Sequence, residues 1–185
     1  MEHRILQEKT TAAGIALRIA LTVAGAVLLP QVFHAVGAVS GTGTALGASL
    51  LPMHIPVLLA GLLYGPVVGA AAGVFSPLVS AAVSGMPAAA LLPFMVLELG
   101  VYGLASGVLS RTGLNGFVKL LLAQLAGRAA RSLAVLTAIY LLGNIRLELS
   151  AAWQFVTAGL FGILIQWAVI PLLVQAVQNR RNGNG

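Results

Sequence analysis

The sequence contains no cysteine, and charged residues are scarce throughout its 185 residues. The absence of cysteine excludes disulfides, thiolate metal sites and a thiol nucleophile. Only 8% of the residues are charged, whereas soluble domains have about 25%. Hydrophobic residues make up 59%, and the mean hydropathy is +1.00. Such a chain has too little polar surface for a soluble globular domain and is too apolar to be disordered, so we expect a protein embedded in the lipid bilayer.

Long apolar runs predict an all-α fold, an integral membrane bundle of six transmembrane helices. A helix needs about 20 mostly apolar residues to span a bilayer, and these runs lack the alternation of β-barrel strands. Residues rich in Gly and Ser, from about 35 to 49, predict a flexible loop after the first span. The predicted spans form one membrane domain over residues 1–185. They cover about residues 11–30, 50–64, 67–83, 88–109, 117–142 and 151–177.

Basic residues predict the orientation of the chain in the membrane, because they concentrate in cytoplasmic segments. Ten Lys and Arg stand against four Asp and Glu. With the N-terminus inside, the outer loops hold only Arg146. The inner segments then hold Arg4, Lys9, Arg111, Lys119, Arg180 and Arg181. Both termini are therefore predicted to be cytoplasmic, and the basic charge is attributed to topology and not to nucleic acid binding.

Ionisable residues inside the predicted spans are the sharpest functional signal, because such residues are costly in hydrocarbon. A helix rises about 1.5 Å per residue, and counting from the ends of the predicted spans places Glu98 and Arg128 near the bilayer midplane. Arg131 lies one turn nearer the outside, and His54 reaches about the same level. These depths predict a polar cluster between the midplane and the outer surface.

Other polar side chains extend this cluster on spans four, five and six. The candidate substrate-binding residues are His54, Glu98, Tyr102, Gln124, Arg128, Arg131, Trp153 and Gln154. One interpretation is an internal Glu98–Arg128 ion pair that only holds the bundle together. The other is a ligand site, because one Glu cannot neutralise two Arg and the surplus charge favours an anionic ligand.

Small residues recur at every fourth position in three spans, a pattern that lets helices approach closely. In spans three and four they predict packing inside the bundle. These residues are Gly65, Gly69, Gly73, Gly103 and Gly107. The stripe on span one is longer and faces either the bundle or a partner protein. We name Ala16, Ala20 and Ala24 the alanine stripe.

The sequence contains no pattern typical of catalysis or metal binding. It lacks GxSxG, HExxH and a phosphate-binding glycine loop. Three scattered histidines without cysteine do not have the spacing of a metal site. We therefore predict no enzymatic activity, no metal and no cofactor.

Several segments resemble, in order along nearly the whole chain, one family of membrane proteins. The segments are residues 53–66 (MHIPVLLAGLLYGP), 75–79 (FSPLV), 85–87 (GMP), 98–103 (ELGVYG) and 126–128 (AGR). Together with the chain size, the six spans and the alanine stripe, they resemble the substrate-binding S components of energy-coupling factor (ECF) vitamin transporters.

The resemblance implies a transport subunit in the cell membrane of a prokaryote. It implies a pocket open to the outside and docking of span one on a transmembrane coupling (T) subunit, which two ATPase subunits drive. Family substrates include pantothenate, folate, nicotinate, riboflavin, thiamine, biotin and cobalamin, and the surplus arginines favour an anionic one. Two alternatives stay open. One is a membrane enzyme acting on a lipid or polyprenyl substrate, and the other is a structural membrane protein.

Overall fold

A computed structural model describes residues 11–43, 50–141, 143 and 159–183 of the chain. These residues form six α-helices and contain no β-strand. The helices are α1 (Ala12–Ser40), α2 (His54–Tyr64), α3 (Pro66–Ser84), α4 (Leu92–Leu109), α5 (Gly116–Tyr140) and α6 (Leu160–Gly183). Five of the six are long and apolar enough to cross a membrane, and α2 is a shorter apolar helix. The predicted all-α membrane bundle is confirmed.

Local sequence signals explain where several helices begin and end. The Thr11 hydroxyl accepts a hydrogen bond from Gly14 N at 3.2 Å, and the Asn115 side chain accepts one from Val118 N at 2.8 Å. Both are N-caps, which satisfy amide groups that the helix itself leaves without a partner. Gly41 ends α1 and Gly85 ends α3, each with a positive φ that glycine adopts at no steric cost.

Helix α1 extends ten residues beyond its predicted end at Pro30, so the loop predicted from residue 35 begins inside a helix. A proline ring removes one backbone hydrogen bond, but membrane helices tolerate this where neighbouring helices surround the site. Pro30 is buried in the bundle. Residues 31–39 remain mostly apolar, so the same helix continues to Ser40.

Helix α2 is shorter than the predicted span over residues 50–64. The backbone turns at residues 51–53, where Leu51 has a φ of 49°, and the helix starts at His54. Eleven residues rise about 16 Å, which is roughly half of the hydrocarbon core. The second of the six predicted apolar helices is therefore present but shorter than predicted, because α2 begins within the bundle and places His54 at its first turn.

Two other predicted boundaries differ in smaller ways. Helix α4 begins at Leu92, four residues after the predicted start of span four, because residues 88–91 form a turn. The predicted start of span six near residue 151 lies outside the described residues, and α6 is described from Leu160.

Helix α4 lies at the centre of the bundle and packs against α2, α3 and α5. It crosses α3 closely, because glycines face each other at the crossing. A Cβ at Gly69 would lie closer than 3.0 Å to the Gly103 carbonyl, and one at Gly73 would meet the Leu99 carbonyl in the same way. The interpretation as packing residues inside the bundle is confirmed for Gly69, Gly73, Gly103 and Gly107, whereas Gly65 lies in the turn before α3 with a positive φ. This close crossing holds the residues of α4 at a defined depth and rotation.

Candidate functional site

Glu98 of α4 is the centre of a buried polar cluster. Its side chain is fully buried, and its Oε2 accepts a hydrogen bond from Arg131 Nη1 at 2.5 Å. Arg128 Nε lies 3.5 Å from Glu98 Oε1. The two arginines are three positions apart on α5 and therefore lie on the same face of that helix. The cluster thus joins α4 to α5 by one carboxylate and two guanidinium groups.

Tyr102 lies one turn after Glu98 on α4 and is also buried. Its hydroxyl donates a hydrogen bond to Glu98 Oε1 at 3.1 Å. Gly127 of α5 leaves room for the ring, because a Cβ at this position would overlap with ring carbons of Tyr102. The sequence Ala126-Gly-Arg therefore places the Arg128 side chain beside the tyrosine and the carboxylate.

His54, at the start of α2, closes the cluster from a third helix. Its Nε2 lies 4.0 Å from Glu98 Oε1, and its ring meets the Tyr102 ring edge-on, with the centroids 5.2 Å apart. The imidazole is buried, and neither ring nitrogen makes a hydrogen bond of ordinary geometry within the described residues. The turn before α2 is what brings this histidine to the level of Glu98.

Below Arg128, one turn along α5, Gln124 forms a second polar layer with α6. Gln124 Nε2 donates to Gln166 Oε1 at 2.8 Å, and Trp167 Nε1 donates to Gln124 Oε1. Gln166 Nε2 in turn donates to the Leu51 carbonyl at 3.4 Å. We name Gln124, Gln166 and Trp167 the amide layer. It ties α5 and α6 to the turn before α2.

The structure brings five of the eight predicted site residues together, namely Glu98 with His54, Tyr102, Arg128 and Arg131 around it. A sixth, Gln124, lies in the adjoining amide layer. Trp153 and Gln154 lie outside the described residues. Sequence reasoning missed Gln166 and Trp167, although an amide side chain in the middle of the apolar span six could have indicated them. The role of all these residues in binding remains a prediction.

The charges of the cluster do not balance within the described residues. The four acidic residues of the chain are Glu2, Glu8, Glu98 and Glu148, and Glu98 alone belongs to the described part. The internal ion pair considered from the sequence is present, but both Arg128 and Arg131 share it. With His54 neutral, the described cluster has a formal charge of +1. Over the described ranges, no three His, Cys, Asp or Glu side chains are placed to hold a metal ion.

The alanine stripe of α1 lies on the outer surface of the bundle. Ala16, Ala20 and Ala24 are exposed, and so are Leu17 and Leu21 beside them. The opposite face of α1 packs against α2 and α3. That buried face comprises Thr22, Val23, Ala26, Val27, Pro30 and Gly37. The stripe is therefore not used for packing within the described bundle.

Comparison with known proteins adds one decisive finding. The family model of the substrate-specific component of ECF transporters matches residues 15–176. The chain belongs to this family. It is thus a membrane subunit of a transporter and not an enzyme, which removes the lipid- or polyprenyl-modifying alternative and the purely structural one. Neither the curated proteins nor the solved structures contain a match to this S component.

Proposed function

We propose that this S component captures a small anionic, vitamin-like molecule from the outside, in the site around Glu98, Arg128 and Arg131. The observation that carries the proposal is the geometry of the buried cluster, in which two guanidinium groups converge on one carboxylate beside Tyr102 and His54. A cation held away from water attracts a carboxylate or phosphate strongly, and the planar guanidinium group binds either of them with two parallel hydrogen bonds.

Arg128 is the better candidate for direct contact with the ligand. Its side chain is 12% exposed, compared with 8% for Arg131, and it lies farther from Glu98. Its Nη2 also approaches Gly159 before α6, where a Cβ would crowd the guanidinium group. Arg131 is held tightly by Glu98 and orients that carboxylate. His54 and Tyr102 form the wall opposite α5, and the amide layer forms the inner floor of the site.

The same proposal assigns the alanine stripe to docking on a transmembrane coupling (T) subunit driven by two ATPase subunits. The exposure of Ala16, Ala20 and Ala24 supports this assignment. Small side chains let another helix approach closely, and van der Waals packing is the main attraction between helices in lipid. The substrate site and the stripe lie on different helices, so binding and docking can be tested separately.

The test is to identify the small molecules that purified protein releases on denaturation, by liquid chromatography and mass spectrometry. We expect one anionic molecule in near-stoichiometric amount from the unmodified protein. Arg128→Gln should release at least about tenfold less, because it loses a charge-assisted contact. Arg180→Gln removes the same charge from an exposed position near the end of α6 and should release as much as the unmodified protein. A neutral or cationic molecule, or full retention by Arg128→Gln, would contradict the proposal.

A further inference from the structure

A cavity lies toward the end of the bundle where α5 begins, and the proposed function does not use it. Its volume is about 470 Å³, and it lies between the start of α5, the second half of α6 and the end of α2. Apolar side chains line one part of it, namely Leu62, Phe117, Ile170 and Val174. Polar groups line another part, namely Ser110, Asn115, Lys119 and Gln175. We name this cavity the inner groove.

The inner groove is separated from Glu98 and the two arginines by the amide layer, whose Trp167 ring meets Phe117 of the groove edge-on with the centroids 4.9 Å apart. Lys119 precedes Arg131 by twelve residues on α5, which corresponds to about 18 Å along the helix. Arg111, which follows α4, approaches the turn at Gly65, and Arg18 stacks on Tyr64 with 5.0 Å to the ring centroid. This end of the bundle therefore collects basic side chains, and it is the end predicted to face the cytoplasm.

Lys119 is the charged residue of the groove lining. Its Nζ donates a hydrogen bond to the Ser110 carbonyl at 3.3 Å, and the side chain is half-buried. The described residues offer it no carboxylate, because Glu98 is their only acidic residue and lies at the level of Arg131. The lining of the groove thus combines an apolar wall with the cation of Lys119, which has no carboxylate partner among the described residues.

We propose that the inner groove binds one anionic phospholipid, with the phosphate beside Lys119 and the start of an acyl chain along Phe117 and Val174. Charge complementarity favours an anionic headgroup, since basic pockets between helices on the cytoplasmic side bind such lipids. The apolar wall favours a lipid over a free phosphate ion, because a free phosphate ion has no apolar part that could pack against this wall. Phe117 and Leu114 are 44% and 43% exposed at the rim, so the groove is open for a lipid to enter from the bilayer.

Native mass spectrometry of the delipidated full chain in detergent tests the proposal, with phosphatidylglycerol and phosphatidylcholine titrated separately. We expect phosphatidylglycerol to bind at least about tenfold more tightly, because the quaternary ammonium of phosphatidylcholine is repelled by Lys119 and offsets the attraction of its phosphate. Lys119→Gln should abolish that preference, and Lys119→Arg should restore it. Val174→Trp should weaken binding of phosphatidylglycerol by filling the groove while the charge remains.

Arg180→Gln is the matched control, because Arg180 is exposed in the last turns of α6 but does not line the groove. It should leave the lipid preference unchanged. The proposal would be overturned if the two lipids bound equally tightly or if Lys119→Gln kept the full affinity for phosphatidylglycerol. It would also be overturned if Arg180→Gln lost as much lipid preference as Lys119→Gln. Displacement of the lipid by equimolar inorganic phosphate would overturn it as well, since the site would then belong to a free anion. Lys119→Arg keeps the test valid if Lys119→Gln does not fold.

Discussion

Arg128 and Arg131 lie on one face of α5, yet they meet Glu98 at different distances. Arg131 makes the short contact at 2.5 Å, while Arg128 Nε is 3.5 Å from the same carboxylate. A charge removed from a buried pair leaves its partner without compensation, and the cost grows with the closeness of the pair. The two arginines should therefore contribute differently to folding and to ligand binding.

We predict that Arg128→Ala weakens binding of the co-purified anion by about 10- to 100-fold, with little change in thermal stability. Arg131→Ala should instead lower the free energy of unfolding by about 1–3 kcal/mol, because it removes the closest partner of Glu98. Calorimetric titration measures the first effect, and thermal unfolding without ligand measures the second. Equal loss of stability in both variants would mean that the arginines only hold the bundle together.

At the scale of helices, the crossing of α3 and α4 depends on the absence of side chains. An alanine in mid-helix is ordinarily favoured over glycine by about 1 kcal/mol. At Gly103 a Cβ would lie closer than 3.0 Å to the Gly69 carbonyl, and backbone cannot move away as a flexible side chain can. The clash should therefore outweigh the helix propensity.

We predict that Gly103→Ala lowers the stability of the bundle by about 1–3 kcal/mol through overpacking. Gly113→Ala is the matched control, because no atom lies within 4 Å of a Cβ at that loop position and its φ is not positive. Thermal unfolding of both variants in the same detergent checks the prediction. A stabilised Gly103→Ala would show that α3 and α4 separate without cost.

Helix α1 presents the alanine stripe on its exposed face and buries the other. A larger side chain on the exposed face meets no part of the described bundle, but it would hold an approaching helix away. The position of Ala20 in the middle of the stripe makes it the most sensitive site.

We predict that Ala20→Leu leaves ligand binding and stability unchanged but prevents co-purification with the coupling subunit and substrate uptake. Ala129→Leu is the control, since Ala129 is exposed on α5 beside Leu125 and Leu133. Pull-down of co-expressed subunits and uptake by cells separate the two variants. Loss of binding in Ala20→Leu would place the stripe inside the fold, and normal assembly would remove it from the interface.

For the whole molecule, the basic residues predict the orientation of the chain in the membrane. The loop after α4 contains Arg111, and the turn after α3 contains no charged residue. Since the chain has no cysteine, single cysteines can report the side of the membrane without background labelling.

We predict that Ala89→Cys reacts with a membrane-impermeant maleimide in intact cells, whereas Thr112→Cys reacts only after permeabilisation. Both positions are exposed and lie in the connections before and after α4. Labelling in the reverse order would contradict the predicted cytoplasmic termini.

Much of the fold and of the polar cluster could be predicted from the sequence, because hydropathy and charge add up over neighbouring residues and need no knowledge of tertiary contacts. Long apolar runs determined the helical membrane fold, and the cost of ionisable groups in lipid singled out Glu98, Arg128 and Arg131. The depth of these residues in the bilayer could be counted along straight helices, so the proximity of Glu98 to both arginines could be predicted. The fourfold spacing of glycines likewise predicted close packing, since a flat helix face is a property of the sequence alone.

Only the tertiary structure decided how the helices use these residues. Pro30 is tolerated because neighbouring helices bury it, whereas the turn at residues 51–53 starts α2 inside the bundle and sets the level of His54. Gln166 and Trp167 join Gln124 because α6 approaches α5 with a particular rotation. Which face of α1 is exposed, and which of the two arginines lies closer to Glu98, also depend on how the helices are rotated and how far apart they lie. Periodicity along one helix shows which residues share a face, but packing of the other helices decides what that face meets.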